Sequence, residues 1–164
     1  MGMRLKLALA VVTAALASVI VLPAAAQAAP DSLACAAAGS YSRVVDGTPT
    51  TFWLVGSVST YRYWLVVDAT SDSYQRSYVV RCSGETIVTA TDLAVTATGG
   101  DRCGSTSTTQ YQYVGARTGL EPNPGWPGFY LEYEYHYWHV KRWVWSGFFG
   151  YWTYDHSELA RCLI

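Results

Sequence analysis

Lysine and asparagine are almost missing from this chain. Lys6 and Lys141 are its only lysines in 164 residues, and Asn123 is its only asparagine. Asn123 is followed by Pro124 and Gly125, so no N-x-S/T acceptor for N-glycosylation exists. Eleven Lys and Arg stand against twelve Asp and Glu; without Arg4 and Lys6 the balance is nine against twelve, a net charge near −3. No basic patch remains beyond Lys141-Arg142. This argues against nucleic acid as the main partner, because such an interface must neutralise phosphates. The AT-rich codons of Lys, Asn and Ile look avoided while Ala, Gly and Arg are common, which points to a high-GC bacterial genome.

Closely spaced cysteines are also lacking. Structural zinc sites usually draw their ligands from short pairs, and Cys35, Cys82, Cys103 and Cys162 are far apart. An even cysteine count in an exported chain predicts two disulfides instead. Four cysteines allow three connectivities. One pattern favours Cys35–Cys82 with Cys103–Cys162. Tyr61-Arg62-Tyr63-Trp64 lies between Cys35 and Arg81-Cys82, and Tyr135-His136-Tyr137-Trp138 lies between Cys103 and Arg161-Cys162. Each half therefore reads Cys, then Y-x-Y-W, then Arg-Cys, as two related units with one bridge each would.

Export is expected from the N-terminus. Arg4 and Lys6 precede an apolar run from Leu7 to Leu22, Pro23 ends it, and Ala26-Gln27-Ala28 fits an A-x-A cleavage site. The run is shorter than the roughly 20 residues of a membrane span. Residues 1–28 are thus expected to be a cleaved helical signal peptide. Residues 29–164 are expected to form one secreted domain without a stable membrane anchor. An odd lipobox reading at Cys35 is disfavoured by Ser32 and by the distance from the apolar run.

What the chain does have is aromatic residues: seven Trp, thirteen Tyr and four Phe. With Val and Thr they dominate everything after the signal region, and such residues suit a pleated surface. Turn residues punctuate them at Asp46-Gly47-Thr48-Pro49, Ser71-Asp72-Ser73, Ser83-Gly84, Gly99-Gly100-Asp101 and Ser146-Gly147. The fold class expected is all-β, a small antiparallel sandwich or barrel. Strands are expected over Phe129–Trp145, bent or broken near His139–Arg142, and over Phe148–Tyr154. Asp155–Cys162 is left open to one or two helical turns. Arg117–Gly128, with Pro122, Pro124 and Pro127, is expected to be a stiff loop presenting Trp126.

Candidate sites are few. On a strand, Leu131, Tyr133, Tyr135 and Tyr137 share one face, and Glu132, Glu134 and His136 share the other. Two carboxylates and an imidazole could ligate a cation, but alternate strand residues lie about 6.5–7 Å apart, so the expectation is a solvated polar face without metal. Asp155-His156-Ser157 has the letters of a hydrolytic triad but not its geometry, since triad members come from separated segments. No nucleophile elbow is present, and no cofactor is expected. The reading reached is a secreted, non-enzymatic β module that binds an extracellular or cell-wall ligand, polysaccharide first, on a platform of Trp126, Tyr133, Tyr135 and Tyr137. Alternatives are a small extracellular hydrolase using His136 or His139, and an effector or inhibitor acting on another protein.

Overall fold

Runs of alternating β-branched and aromatic residues need a partner strand for their backbone and a covering layer for at least one face. The structure, a computed structural model describing residues 29–164, supplies both. The expected signal peptide lies outside the described residues. Strands β1 (Tyr41–Val45), β2 (Thr48–Val58), β3 (Tyr61–Asp68), β4 (Tyr74–Ser83) and β5 (Thr86–Asp92) form an antiparallel meander. Strands β6 (Val95–Thr98), β7 (Tyr111–Pro122), β8 (Tyr130–Trp145) and β9 (Gly150–Leu163) form a second sheet in the order β6-β9-β8-β7. The fold is thus a β-sandwich with two disulfides. One pair departs from the antiparallel expectation: β6 runs parallel to β9. A bridge between Ser73 and Leu120 joins the two sheets at one corner.

Several segment boundaries differ from the sequence reading. Asp155–Cys162 is strand, not helix, because it pairs with β8 along its whole length. Arg117–Pro122 continues β7, with Pro122 as its last residue, so the loop is only the segment 123–129. β8 runs unbroken through His139–Arg142, where the bend or break was expected, and carries a bulge between Val140 and Lys141 there, the kind of irregularity that bends a strand.

The two halves are copies of one plan. Tyr61 pairs with Arg81 in the first half and Tyr135 with Arg161 in the second. Gly56 faces Tyr63 across a bulge, and Gly115 faces Tyr137 across another. A further bulge sets Val67 opposite Tyr74 and Lys141 opposite Tyr154. Contacts between the halves are reciprocal, as a twofold axis requires. The Tyr63 hydroxyl lies 3.0 Å from Ser157 Oγ, and the Tyr137 hydroxyl 2.6 Å from Ser77 Oγ. Tyr61 stacks on Tyr154 at 4.2 Å, and Tyr74 on Tyr135 at 4.4 Å. Tyr63 and Tyr137 meet edge to face at 6.3 Å, between the sheets.

Each disulfide fastens an irregular segment over the outer face of its own sheet. Cys35–Cys82 holds residues 31–37 over Phe52, Trp64, Val66, Tyr78 and Val80. Arg62 locks that cover by donating to the carbonyls of Ala34 (3.2 Å), Cys35 (2.8 Å) and Ala37 (2.6 Å). Cys103–Cys162 holds the 3-10 turn Gly100–Cys103 over Trp138, whose Nε1 donates to the Arg102 carbonyl at 2.9 Å. The connectivity is therefore one bridge per half, the arrangement favoured by the repeated Cys, Y-x-Y-W, Arg-Cys order.

Where β2 and β7 cross, backbone meets backbone. A Cβ on Gly56 would lie 2.7 Å from the Val114 carbonyl oxygen, and one on Gly115 would lie 2.9 Å from that of Val55. Neither oxygen can swing away as a side chain would. Gly56→Ala and Gly115→Ala should each destabilise the protein by about 1–3 kcal/mol through overpacking, read as a lowered denaturant midpoint. Unchanged midpoints in both variants would contradict this view of the crossing.

Candidate functional site

The platform expected from the sequence is not assembled. Tyr135 and Tyr137 have 0% exposure; they point between the sheets with Tyr63, Leu65 and Leu159. The alternation of β8 was read correctly, but the tyrosine face is its inner face. Tyr135 donates to Glu121, which also accepts from Arg161 at 2.6 Å. Tyr133 is half-buried beneath the Arg161 guanidinium, 4.8 Å from its ring centroid. Only Trp126 is freely presented, at 67% exposure on the loop between β7 and β8. Phe129 meets it edge to face at 6.4 Å, with the ring planes 83° apart.

The opposite face of β8 is solvated only in part: Glu132 is exposed and Glu134 partly so, but the face closes over at His136. His136 is buried, with Nε2 at 2.6 Å from Glu134 and Nδ1 at 3.1 Å from the Gly104 carbonyl. The segment tied down by Cys103 covers it. Among the described residues no three His, Cys, Asp or Glu side chains gather as a metal site would need.

A His, a Ser and two Tyr do converge. Tyr63 Oη lies 2.7 Å from His139 Nδ1 and 3.0 Å from Ser157 Oγ, which is 3.2 Å from the Tyr154 hydroxyl. His139 and Tyr63 are both buried. The Ser157–Tyr63 bond repeats in the other half as Ser77–Tyr137, where Leu65 occupies the position of His139. A contact that recurs without the imidazole is part of the packing between halves. Burial chiefly, with Lys141 second, lowers the His139 pKa to about 4. The neutral ring can then accept a hydrogen bond from the Tyr63 hydroxyl at Nδ1. Asp155, His156 and Ser157 behave as adjacent residues do: His156 bonds to Asp155 (2.8 Å) and Glu158 (3.2 Å), and Ser157 turns inward.

Comparing the halves isolates a different feature. Between Val67 and Tyr74 the β3–β4 hairpin spans six residues, 68–73, none of them aromatic. Between Lys141 and Tyr154, their counterparts, the β8–β9 hairpin spans twelve, 142–153, and six are aromatic. β7 leaves β8 at Val140 and β6 touches β9 only at 159–161, so this extension projects as a two-stranded ribbon without a third strand. Trp143 pairs with Trp152, Val144 with Tyr151, and Trp145 with Gly150. The Trp143 and Trp152 rings lie 5.5 Å apart at 65°. The Trp143 indole lies across Gly150, where a Cβ would fall 1.9 Å from a ring carbon. Ser146 N–H donates to the Phe149 carbonyl at 3.0 Å and closes the turn. Phe148, at 95% exposure, stands at its tip, and Trp143, Trp145, Phe149, Tyr151 and Trp152 are all exposed. The sequence reading placed these residues in strands and turn correctly but did not identify them as a site.

A shallow groove of about 430 Å³ lies elsewhere, lined by Trp53, Asp72, Arg117, Leu120 and Glu132. The Arg117 guanidinium lies 5.7 Å from the centroid of the Trp53 ring, so the groove's one large ring already has a cation against it. Comparison with family models, curated proteins and solved structures finds no match to this chain.

The His139 network carries a pH prediction. A folded-state pKa near 4 against an unfolded value near 6.5 means that the unfolded chain binds the extra proton between those pH values. The resulting stability is full above about pH 6.5 and is lost as pH falls towards 4, by up to about 3 kcal/mol. Denaturant titrations across that range should show a steeper loss for the parent than for His139→Gln. Parallel curves would remove His139 as the source.

Proposed function

We propose that the protein is an exported, non-catalytic β module that binds an extracellular or cell-envelope ligand through its β8–β9 ribbon. The observation that carries this reading is the concentration of six exposed rings on an extension present in only one of two matching halves. Packing does not require them, because the first half closes its hairpin without them. Contiguous exposed apolar surface marks interaction sites more often than structural ones. Two disulfides fit an oxidising compartment, and among the described residues no helix is long and apolar enough to cross a membrane. The amino-terminal basic, apolar and A-x-A pattern supports export.

The site moves from the Tyr133, Tyr135 and Tyr137 face to Trp143–Trp152, because Tyr135 and Tyr137 are sealed between the sheets. Trp126 remains a secondary exposed ring on the loop at the other end of β8. Hydrolysis has less support: His139 and Tyr63 are buried and bonded across the halves, and of their cluster only Tyr154 reaches a surface recess, a small one shared with Tyr61, Val79, Arg81, Thr89 and Thr91, which His139 and Ser157 do not line.

The test is a paired measurement on Trp143→Ser/Trp145→Ser. Both rings lie outside the two cores, so the melting temperature should stay close to the parent's, as surface changes usually leave stability within about 0.5 kcal/mol. Retention on purified peptidoglycan, chitin, cellulose or phospholipid vesicles should fall about tenfold or more, the equivalent of roughly 1.4 kcal/mol of binding. Equal retention of parent and variant, or no retention of the parent on any of the four, would defeat the proposal.

A further inference from the structure

We infer that the partner of the ribbon is a lipid bilayer, entered from one side by the Phe148-Phe149 turn. This rests on the ribbon being the ligand-binding element and names what it binds.

Three features favour a bilayer over a polymer or a protein. The first is the distribution of the rings. Trp143, Trp145 and Trp152 occupy one face of the ribbon, Val144 and Tyr151 the other, and Phe148 and Phe149 the end. A sugar chain or a protein surface would cover one face and leave the rest wet. A fluid apolar phase surrounds all of them. The second is ring orientation. Trp143 and Trp152 are 65° apart, and Phe149 and Tyr151 are 45° apart. Extended sugar rings stack on coplanar aromatics, and neither of these two pairs is coplanar. The third is charge. Residues 143–154 carry no formal charge. Directly below them sit Lys141 and Arg142, with Asp155 on the returning strand 3.7 Å from Arg142. Two cations against one carboxylate leave a positive excess at the level where lipid phosphates would lie. Uncharged tip above, cations at the base, is complementary to hydrocarbon below headgroups.

Backbone chemistry limits the depth. Both edges of the ribbon have unpaired N–H and C=O groups, which hydrocarbon cannot satisfy. The ribbon extends roughly 15 Å beyond the last three-stranded pairing, so it cannot span. Trp and Tyr suit the headgroup region, where their polar atoms stay hydrated. The two phenylalanines, without polar side-chain atoms, reach the acyl boundary about 5–10 Å down. The attachment is peripheral and reversible.

The experiment is vesicle flotation of the full secreted protein with phosphatidylcholine vesicles, with and without phosphatidylglycerol, beside sedimentation on peptidoglycan, chitin and cellulose. Vesicles with brominated acyl chains report on tryptophan depth. The parent should float, its tryptophan emission should be quenched by the bromines, and phosphatidylglycerol should strengthen binding. Phe148→Ser/Phe149→Ser should lose about tenfold or more of the floated fraction with unchanged melting, and Trp126→Ala should keep it. Retention on a polymer, lost in Trp143→Ser/Trp145→Ser, without flotation would overturn the bilayer assignment and leave the ribbon as a binding element. Flotation unaffected by Phe148→Ser/Phe149→Ser would overturn the assignment of the tip. A dimer in sedimentation velocity that dissociates in the same variant, with no flotation, would make a second copy the partner. Absence of any binding would overturn both readings.

Discussion

The structure depends on a reciprocal pair of bonds between its two halves, Tyr63 to Ser157 and Tyr137 to Ser77. Each tyrosine brings a large ring to the inter-sheet core and a hydroxyl that must find a partner there. The partner comes from the other half, at the equivalent position of the equivalent strand. Two sheets of similar apolar character could slide against each other with little change in buried area. A buried hydroxyl pair on each side of the axis makes most such offsets costly, because an orphaned buried donor loses its full hydration. The flanking stacks of Tyr61 on Tyr154 and Tyr74 on Tyr135 act the same way, and the close crossing at Gly56 and Gly115 leaves no room for a shift. His139 is an addition on one side of this arrangement, and its neutrality follows from being placed in a core that was already closed.

A domain of this size has one such core and still leaves both outer sheet faces to solvent. The disulfides address that problem. Each one turns a short irregular segment into a lid, with Trp64 under one and Trp138 under the other. An irregular lid brings unpaired carbonyls with it. Arg62 answers three of them in the first half, and in the second Trp138 Nε1 answers one at Arg102. The Y-x-Y-W sequence is therefore a compact instruction. Its second tyrosine faces the core, its tryptophan faces the lid, and alternation on a strand makes the two demands compatible.

Much of this was legible before the fold was known. The all-β class follows from composition and turn spacing, and the repeated Cys, Y-x-Y-W, Arg-Cys order indicates two units with a bridge each. The faces of β8 were also legible, since alternation is local. Whether a face is wet is not local. Tyr135 and Tyr137 were read as exposed and His136 as part of a solvated face, because nothing within a single strand says that sheets or lids cover both its sides. The ribbon was missed for a related reason. Its residues read as ordinary strand, and only the end of the neighbouring β7 turns them into an unsupported projection. A signal did exist. Trp64 to Arg81 spans seventeen positions, and Trp138 to Arg161 spans twenty-three. Aligning the two units would have shown a six-residue excess, and it falls among Trp143, Trp145, Phe148, Phe149, Tyr151 and Trp152.

That excess is costly in water. A two-stranded hairpin is marginal in water on its own, and an apolar ribbon with two open edges is a template for aggregation. The first half shows that the fold closes equally well with a short polar turn, Asp68 to Ser73, where Asp68 caps Thr70 and Ser71 at 2.8 and 3.0 Å. The second half instead extends the hairpin and then spends local structure on making it stand up, with cross-strand Trp143 and Trp152, an indole laid over Gly150, and a Ser146 turn. A segment that existed only as slack would be polar and loosely held. One that is both apolar and internally braced fits the proposed binding role, in which its bracing lowers the ordering entropy that opposes an encounter. On the proposed binding role the paired halves are a rigid handle, reciprocal in the contacts between the sheets and asymmetric at β1, at the parallel β6–β9 pair, at the 123–129 loop and in the ribbon.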